Sequence, residues 1–265
     1  MRHPSILSAL LALLLISFSG CGDSDDPAEP TNGNDDAVLT AGFEATTAFD
    51  AIPGSAIDAA QTLRIYYGHT SHGSQLMTGL NILSTGEPLY PLPSVTEVSG
   101  DLGHIGNLTW ERTTRSLLES HADDYDVVIW SWCGGCSDNT PEGIDIYLQA
   151  MTNLERDYPD ITFIYMTGHL DGGGPDGTLY ANNNRIRAYC DQNEKFLFDF
   201  ADIESFDPDG NYYPDESDIC SWCSDWCDTH DCPPEVSCAH SHCFNCYQKG
   251  KAFWWLLARI AGWEG

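Results

Sequence analysis

The sequence predicts an α/β fold, a three-layer α/β/α domain around a mainly parallel sheet, with a disulfide-rich insertion near the C-terminus. Three observations predict it. Short β-rich runs at 63–67, 126–132 and 162–166 alternate with stretches of helical periodicity, the pattern of strands joined by crossover helices. Each run is followed at once by glycine-flanked polar residues: Gly68-His69-Thr70-Ser71-His72-Gly73, Cys133-Gly134-Gly135-Cys136 and Thr167-Gly168-His169-Leu170-Asp171-Gly172. Ligands of open parallel sheets bind beyond the carboxyl ends of the strands, so these runs are expected to converge on one site. Finally, seven cysteines crowd into 220–246, where aliphatic residues are few.

The elements follow in order. Residues 63–67 read as a strand and 74–83 as a helix entered through the turn at Ser71. Residues 86–109 are rich in Pro and Gly and read as irregular, and 111–121 as helical. Val127-Val128-Ile129-Trp130 is a buried-type strand. Thr140 is a natural N-cap and Pro141 suits the first helical position, with Ile144, Leu148, Met151 and Leu154 on one face. Residues 162–166 form a strand, 182–192 a helix and 195–200 a further strand. The last helix, 251–261, is apolar nearly all round and is expected to pack against the sheet.

The N-terminus reads as an export signal over 1–20: Arg2, an apolar run at 6–18, then Ser19-Gly20-Cys21. The run falls short of the roughly 18 residues that spanning a bilayer requires. Cys21 after Gly20 resembles a bacterial lipoprotein box, which implies lipidation of Cys21 and a membrane anchor with the folded part in solution. Residues 22–37 carry six carboxylates and no basic residue and cannot bury apolar area. The expected organisation is therefore a signal at 1–20, an acidic linker at 21–60 and a domain at 61–265 with its cysteine-rich insertion at 205–246.

The net charge of −29, from 11 basic and 40 acidic residues, repels phosphate backbones and argues against a nucleic-acid partner. Between Lys195 and Lys249 there are twelve carboxylates and no Lys or Arg, which points to a cation in that region. Ten cysteines remain after Cys21, an even number that favours disulfides in an exported chain. Zinc is the competing reading for Cys220-x-x-Cys223 and Cys243-x-x-Cys246. The acidic run Asp207, Asp209, Asn211, Asp215, Asp218 spaces oxygens as a structural calcium loop does, without the EF-hand arrangement.

Ser71, in the turn after the first strand, is a candidate nucleophile, and His240 in the loop before the last helix is its candidate general base, with His242 as the alternative. In this order of elements and residues the chain resembles the SGNH, or GDSL-type, hydrolases, and within them an uncharacterised bacterial lipoprotein branch. The resemblance implies an α/β/α esterase or carbohydrate deacetylase that needs no cofactor, acting on a small-molecule or glycan ester such as an O-acetyl group. Gly68-His69-Thr70-Ser71 stands where that family has Gly-Asp-Ser. Gly103, among Gly100, Gly103 and Gly106, is a candidate oxyanion donor, and Gly135 to Asn139 echoes the family's Gly-x-Asn-Asp block. Neither His240 nor His242 has an Asp three residues before it, which leaves Asp231, Glu235 or Asp228 as orienting acid, or a backbone carbonyl orienting the ring of a Ser–His dyad.

His69 and His72 flank the serine and read as pocket or turn residues. A metal-dependent hydrolase built from His69, His72, His169, Asp171 and His240 is the first rival, because imidazole and carboxylate together suit zinc or iron. A non-catalytic surface-binding lipoprotein is the second. Trp132, Trp222 and Trp226 are candidates for stacking on sugar rings, against the commoner fate of core packing.

Overall fold

The computed structural model describes residues 39–265. The export signal, Cys21 and the acidic stretch 22–37 lie outside the described residues. A six-stranded sheet, parallel in every pairing, has the order β1-β6-β5-β4-β2-β3. Its strands are β1 (Thr40–Ala41), β2 (Arg64–His69), β3 (Ser94–Ser99), β4 (Val127–Trp130), β5 (Thr162–Met166) and β6 (Leu197–Phe198). β4 is buried at every position, as its unbroken Val-Val-Ile-Trp run requires of a strand covered on both faces.

Helices cover both faces. α1 (Phe43–Thr47), α2 (Gly54–Ala60), α3 (Ser74–Gly86) and α7 (Phe200–Ser205) gather around the long C-terminal α9 (Cys243–Ile260), while α4 (Thr109–His121), α5 (Pro141–Asp157) and α6 (Thr178–Gln192) pack in series. The short α8 (Cys223–Cys227) lies in the cysteine-rich segment. α3 and α9 cross at glycines: a Cβ on Gly79 would stand 1.9 Å from the Cys246 carbonyl oxygen, and one on Gly250 would stand 2.6 Å from Gly79. Larger residues at either position would force the helices apart. Thr140 caps α5 as its sequence requires, its hydroxyl accepting from the Gly143 amide at 3.1 Å, with Pro141 next.

Four expectations need correction. Residues 40–60, assigned to the linker, belong to the domain: Ala41, Phe49, Ile52 and Ile57 are buried, and β1 completes the sheet beside β6. The segment 86–109 contains strand β3, whose alternating Ser-Val-Thr-Glu-Val-Ser suits an edge. The strand expected over 195–200 shortens to two residues, because Asp199 caps α7 by accepting from the Asp202 amide. α9 starts eight residues before the helix expected at 251.

The cysteine-rich segment is stapled by Cys220–Cys223, Cys227–Cys232 and Cys238–Cys246 around a small cluster of Trp222 and Phe244. These bonds suit a protein of an oxidising, exported setting. They also overturn the zinc reading, because three of its four thiols are bridged and Cys243 is left alone and buried. Cys133, Cys136 and Cys190 are free as well. Among the described residues no helix is long and apolar enough to cross a membrane.

Candidate active site

The sheet order fixes where the site lies. From β2 the chain moves outward to β3, then returns past β2 to β4 and continues the other way through β5 and β6. The loops after the adjacent strands β2 and β4 therefore lead to opposite faces, and the crevice between them is the switch point at which parallel sheets bind ligands. The β2 turn is pinned there: Tyr67 donates its hydroxyl to the Gly73 carbonyl at 2.9 Å, and a Cβ on Gly73 would stand 2.2 Å from the Ser131 hydroxyl beyond β4.

This places His72 against Cys133. The His72 Nδ1 lies 3.2 Å from Cys133 Sγ, and its Nε2 lies 3.0 Å from the Asp218 carboxylate. Ser71 Oγ is 3.4 Å from the same sulfur. The result is a line, carboxylate to imidazole to thiol, with all three side chains half-buried. Two more rings stack on it, His169 at 3.7 Å from the His72 ring centroid and His240 at 4.4 Å. His240 reaches this position with φ of +61°, a backbone conformation that costs a non-glycine residue and recurs at functional sites.

Hydrogen bonds and charge shift Cys133, His72 and Asp218 each against what burial alone would do. Burial alone would raise the Cys133 pKa, but hydrogen bonds from Ser71, Thr70 and His72 and the charge of His72 bring it down to about 7. Burial alone would lower the His72 pKa, yet the bonds to Asp218 and Cys133 raise it. Asp218 is held below the usual carboxylate range: burial opposes this, and the His72 bond with the neighbouring imidazoles prevails. His169 is pushed toward neutrality by burial and by His72; its Nδ1 bonds to the Leu170 carbonyl at 2.8 Å and its buried Nε2 has no partner.

A buried lysine ties the surroundings together. Lys249 in α9 donates to Glu204 at 2.8 Å and to Gln75 at 2.5 Å. Glu204 in turn accepts from the Leu170 amide at 2.7 Å, beside His169, and Gln75 donates to the Ala239 carbonyl at 2.6 Å, beside His240. Lys249 thus supplies a counter-charge within a region whose sequence offers only carboxylates between Lys195 and itself.

The expected residues divide sharply. Ser71, His72, His169 and His240 do meet in the crevice, although no hydrogen bond joins Ser71 to His240. His242 is the N-cap of α9, its Nδ1 accepting from the Phe244 amide at 3.2 Å, so it is committed to the helix and not poised as a base. His69 pairs with Glu97 at 2.8 Å, and Asp171 turns outward onto the Gly173 amide. The carboxylate that meets a crevice imidazole is Asp218; among the described residues Asp228, Asp231 and Glu235 make no hydrogen bond or ion pair to a histidine.

The expected oxyanion groups are engaged elsewhere. Gly103 donates its amide to Asp101, Gly135 donates to the Cys133 carbonyl, and the Asn139 amide bonds the Gly135 carbonyl under α5. Two of the five residues of the calcium reading, Asp207 and Asp218, are engaged with other partners. Asp207 accepts from the amides of Asp209 and Asn211, the Asn211 side chain and the Tyr213 hydroxyl, and Asp218 faces His72. Trp132 is buried with its indole on the Met166 carbonyl, Trp222 is buried against Tyr213, and Trp226 stacks on His230, which leaves none of them facing the crevice histidines.

Two groups of residues could do chemistry here. Cys133, His72 and Asp218 could carry out nucleophilic catalysis. Alternatively His72, Asp218 and His240 offer ligand atoms within 4.8 Å of one another, a set that suits zinc or iron. Cys133 is the residue that sequence reasoning missed. Its signal was present in the glycine-flanked cysteine run directly after the most buried strand, but the cysteine count directed attention to disulfides.

No family model matches the chain, and no curated protein matches it. Among solved structures it is similar to an acetyl xylan esterase at 15% identity, over 52% of this chain and 77% of that one, with a TM-score of 0.37. It is also similar to a variant of an acetyl-xylooligosaccharide esterase from Geobacillus at 13% identity, over 76% of this chain and 94% of that one, with a TM-score of 0.40. Likeness at these TM-scores fixes neither a shared fold nor a shared activity.

Proposed function

We propose that the protein is an exported acyl hydrolase acting on esters, with Cys133 as nucleophile, His72 as general base and acid, and Asp218 as the carboxylate that orients His72. The observation that carries this reading is the continuous line from Asp218 Oδ2 through both nitrogens of His72 to Cys133 Sγ. A thiolate that forms near neutral pH attacks the ester carbonyl, and the His72 imidazolium gives its proton to the departing alkoxide. Water then attacks the thioester, His72 takes its proton, and the thiol is regenerated as the acid product leaves. The ester class is the one implied by the resemblance to SGNH hydrolases, and an O-acetylated carbohydrate is the substrate to try first.

Ser71 is the second candidate nucleophile, favoured by its place in the β2 turn and by a hydroxyl 3.4 Å from Cys133 Sγ. In the Cys133 mechanism that hydroxyl donates to the thiolate. Hydrolysis of p-nitrophenyl acetate by Cys133→Ala and Ser71→Ala separates the two. Cys133 as nucleophile requires a loss on the order of a thousandfold in kcat in the first variant and a smaller one in the second. Full activity in Cys133→Ala with covalent fluorophosphonate labelling of Ser71 would sink the thiol mechanism. Activity abolished by a chelator and restored by zinc would instead favour metal chemistry at His72, Asp218 and His240.

A further inference from the structure

We propose that Cys133 and Cys136 form a dithiol–disulfide pair, in which Cys133 attacks a small-molecule disulfide and Cys136 resolves the mixed disulfide into a bridge that caps the candidate nucleophile. The inference rests on Cys133 being the accessible thiol of the crevice, which the function proposed above also uses, but not on acyl transfer.

Both thiols are free, whereas six of the seven cysteines between 220 and 246 are bridged, Cys243 being the exception. They are separated by Gly134, with φ of +70°, and Gly135, whose amide donates to the Cys133 carbonyl at 2.8 Å, so the chain turns tightly between them. The same spacing is already bridged in this molecule at Cys220–Cys223, with the Cα atoms 5.4 Å apart, inside the ordinary range for disulfides.

The two sites differ as an attacking and a resolving thiol should. Cys133 is half-buried at the crevice with Ser71 and His72 as partners. Cys136 is 1% exposed, its Sγ donating to the Asn183 side-chain oxygen Oδ1 at 3.4 Å. Burial pushes the Cys136 thiol up to about 12, which keeps it protonated, and the same burial withholds it from an external disulfide. An external disulfide can therefore reach only one of the pair.

The step balances. The Cys133 thiolate attacks one sulfur of the external disulfide, whose S–S bond breaks and releases one thiolate. Cys136 attacks Cys133 Sγ, and the second half of the external disulfide departs with the Cys136 proton as a thiol. The protein loses two hydrogens and the external disulfide is reduced to two thiols. Formation of this bridge couples the candidate active site to the redox state of its compartment.

The test treats the full chain with oxidised glutathione and reads intact mass and mapped peptides. The wild type is expected to lose two hydrogens with Cys133 linked to Cys136. Cys136→Ser, which keeps a donor toward Asn183, is expected to retain one glutathione on Cys133, and Cys133→Ser is expected to remain unmodified at both positions. A lasting glutathione adduct on wild-type Cys133, or no reaction at Cys133, overturns the proposal. Because the readout is mass, failure of the ester hydrolase reading leaves this result intact. If both hold, Cys136→Ser hydrolyses ester at the wild-type rate, and oxidised wild type is inactive until reduced.

Discussion

The sheet layers and the cysteine-rich segment meet at one crevice but are held by different forces. The layers bury a continuous core of aliphatic and aromatic side chains on both faces of β4 and β5. The segment from 206 to 242 contributes only Cys220, Trp222 and Cys223 to a small buried cluster closed by Phe244 of α9, and relies on covalent staples. Each region supplies part of the site: His72, Cys133 and His169 come from strand ends, and Asp218 and His240 from the stapled segment. A line of proton transfer that crosses two regions can be broken by loosening either one, while the fold of the other persists.

The largest effect is expected within the layers, at a buried tie that reaches the stapled segment only through the bond from Gln75 to the Ala239 carbonyl. Lys249 is fully buried between Glu204 and Gln75, with its ammonium 4.2 Å above the Phe200 ring. Burial pulls its pKa down and Glu204 resists. Lys249→Met leaves the Glu204 carboxylate buried without its partner, a change that costs about 3–5 kcal/mol. Chemical denaturation should show that loss. In Lys249→Met with Glu204→Gln, where no charge remains, most of it should return. Equal destabilisation of the single and double variants would mean that packing, and not the ion pair, holds α9 to α7.

The next effect separates site from core. Cys238–Cys246 closes a short loop that carries His240 and anchors it to α9. Replacing both cysteines by serine should cost about 2–3 kcal/mol on the chain-entropy estimate for so small a ring. Ester hydrolysis should fall further than this stability loss accounts for, while the far-ultraviolet circular dichroism of the sheet layers is retained. Loss of both signals together would show that the stapled segment is part of the core and not an appendage to it.

The same contrast explains how much was legible in the sequence. β4 and β5 and the start of α5 follow from local rules, an unbroken apolar run or a Thr-Pro cap, and they lie where those rules put them. β3 escaped because an edge strand with two valines among polar residues has little apolar signal to distinguish it from a loop. At the site, the meeting of the three strand ends could be read from the parallel order. The choice of acid could not: Asp218 is 146 residues from His72, and its approach depends on how a stapled loop folds back. The stacked histidines and the Lys249 ties depend on the same long-range closure. Cys133 was visible as a residue but not as a nucleophile, because its lowered pKa comes from Ser71, Thr70 and His72, all more than sixty positions away.

The smallest effect tests the link between the regions at the level of a single proton. Asp218→Asn keeps the shape of the side chain and a hydrogen-bond partner for His72 but removes the charge that helps to hold His72 above its ordinary pKa. The His72 pKa should then fall. A less cationic His72 stabilises the thiolate less, so the Cys133 pKa should rise from about 7 toward that of a free thiol. In a profile of kcat/KM against pH, the acid limb reports formation of the thiolate and the basic limb reports loss of the imidazolium proton. The acid limb should therefore move to higher pH and the basic limb to lower pH, narrowing the bell from both sides, with a loss of about tenfold to a hundredfold at its maximum. A variant whose rate falls while both limbs stay in place would assign Asp218 to anchoring the stapled loop, with no part in the charge of the pair across the crevice.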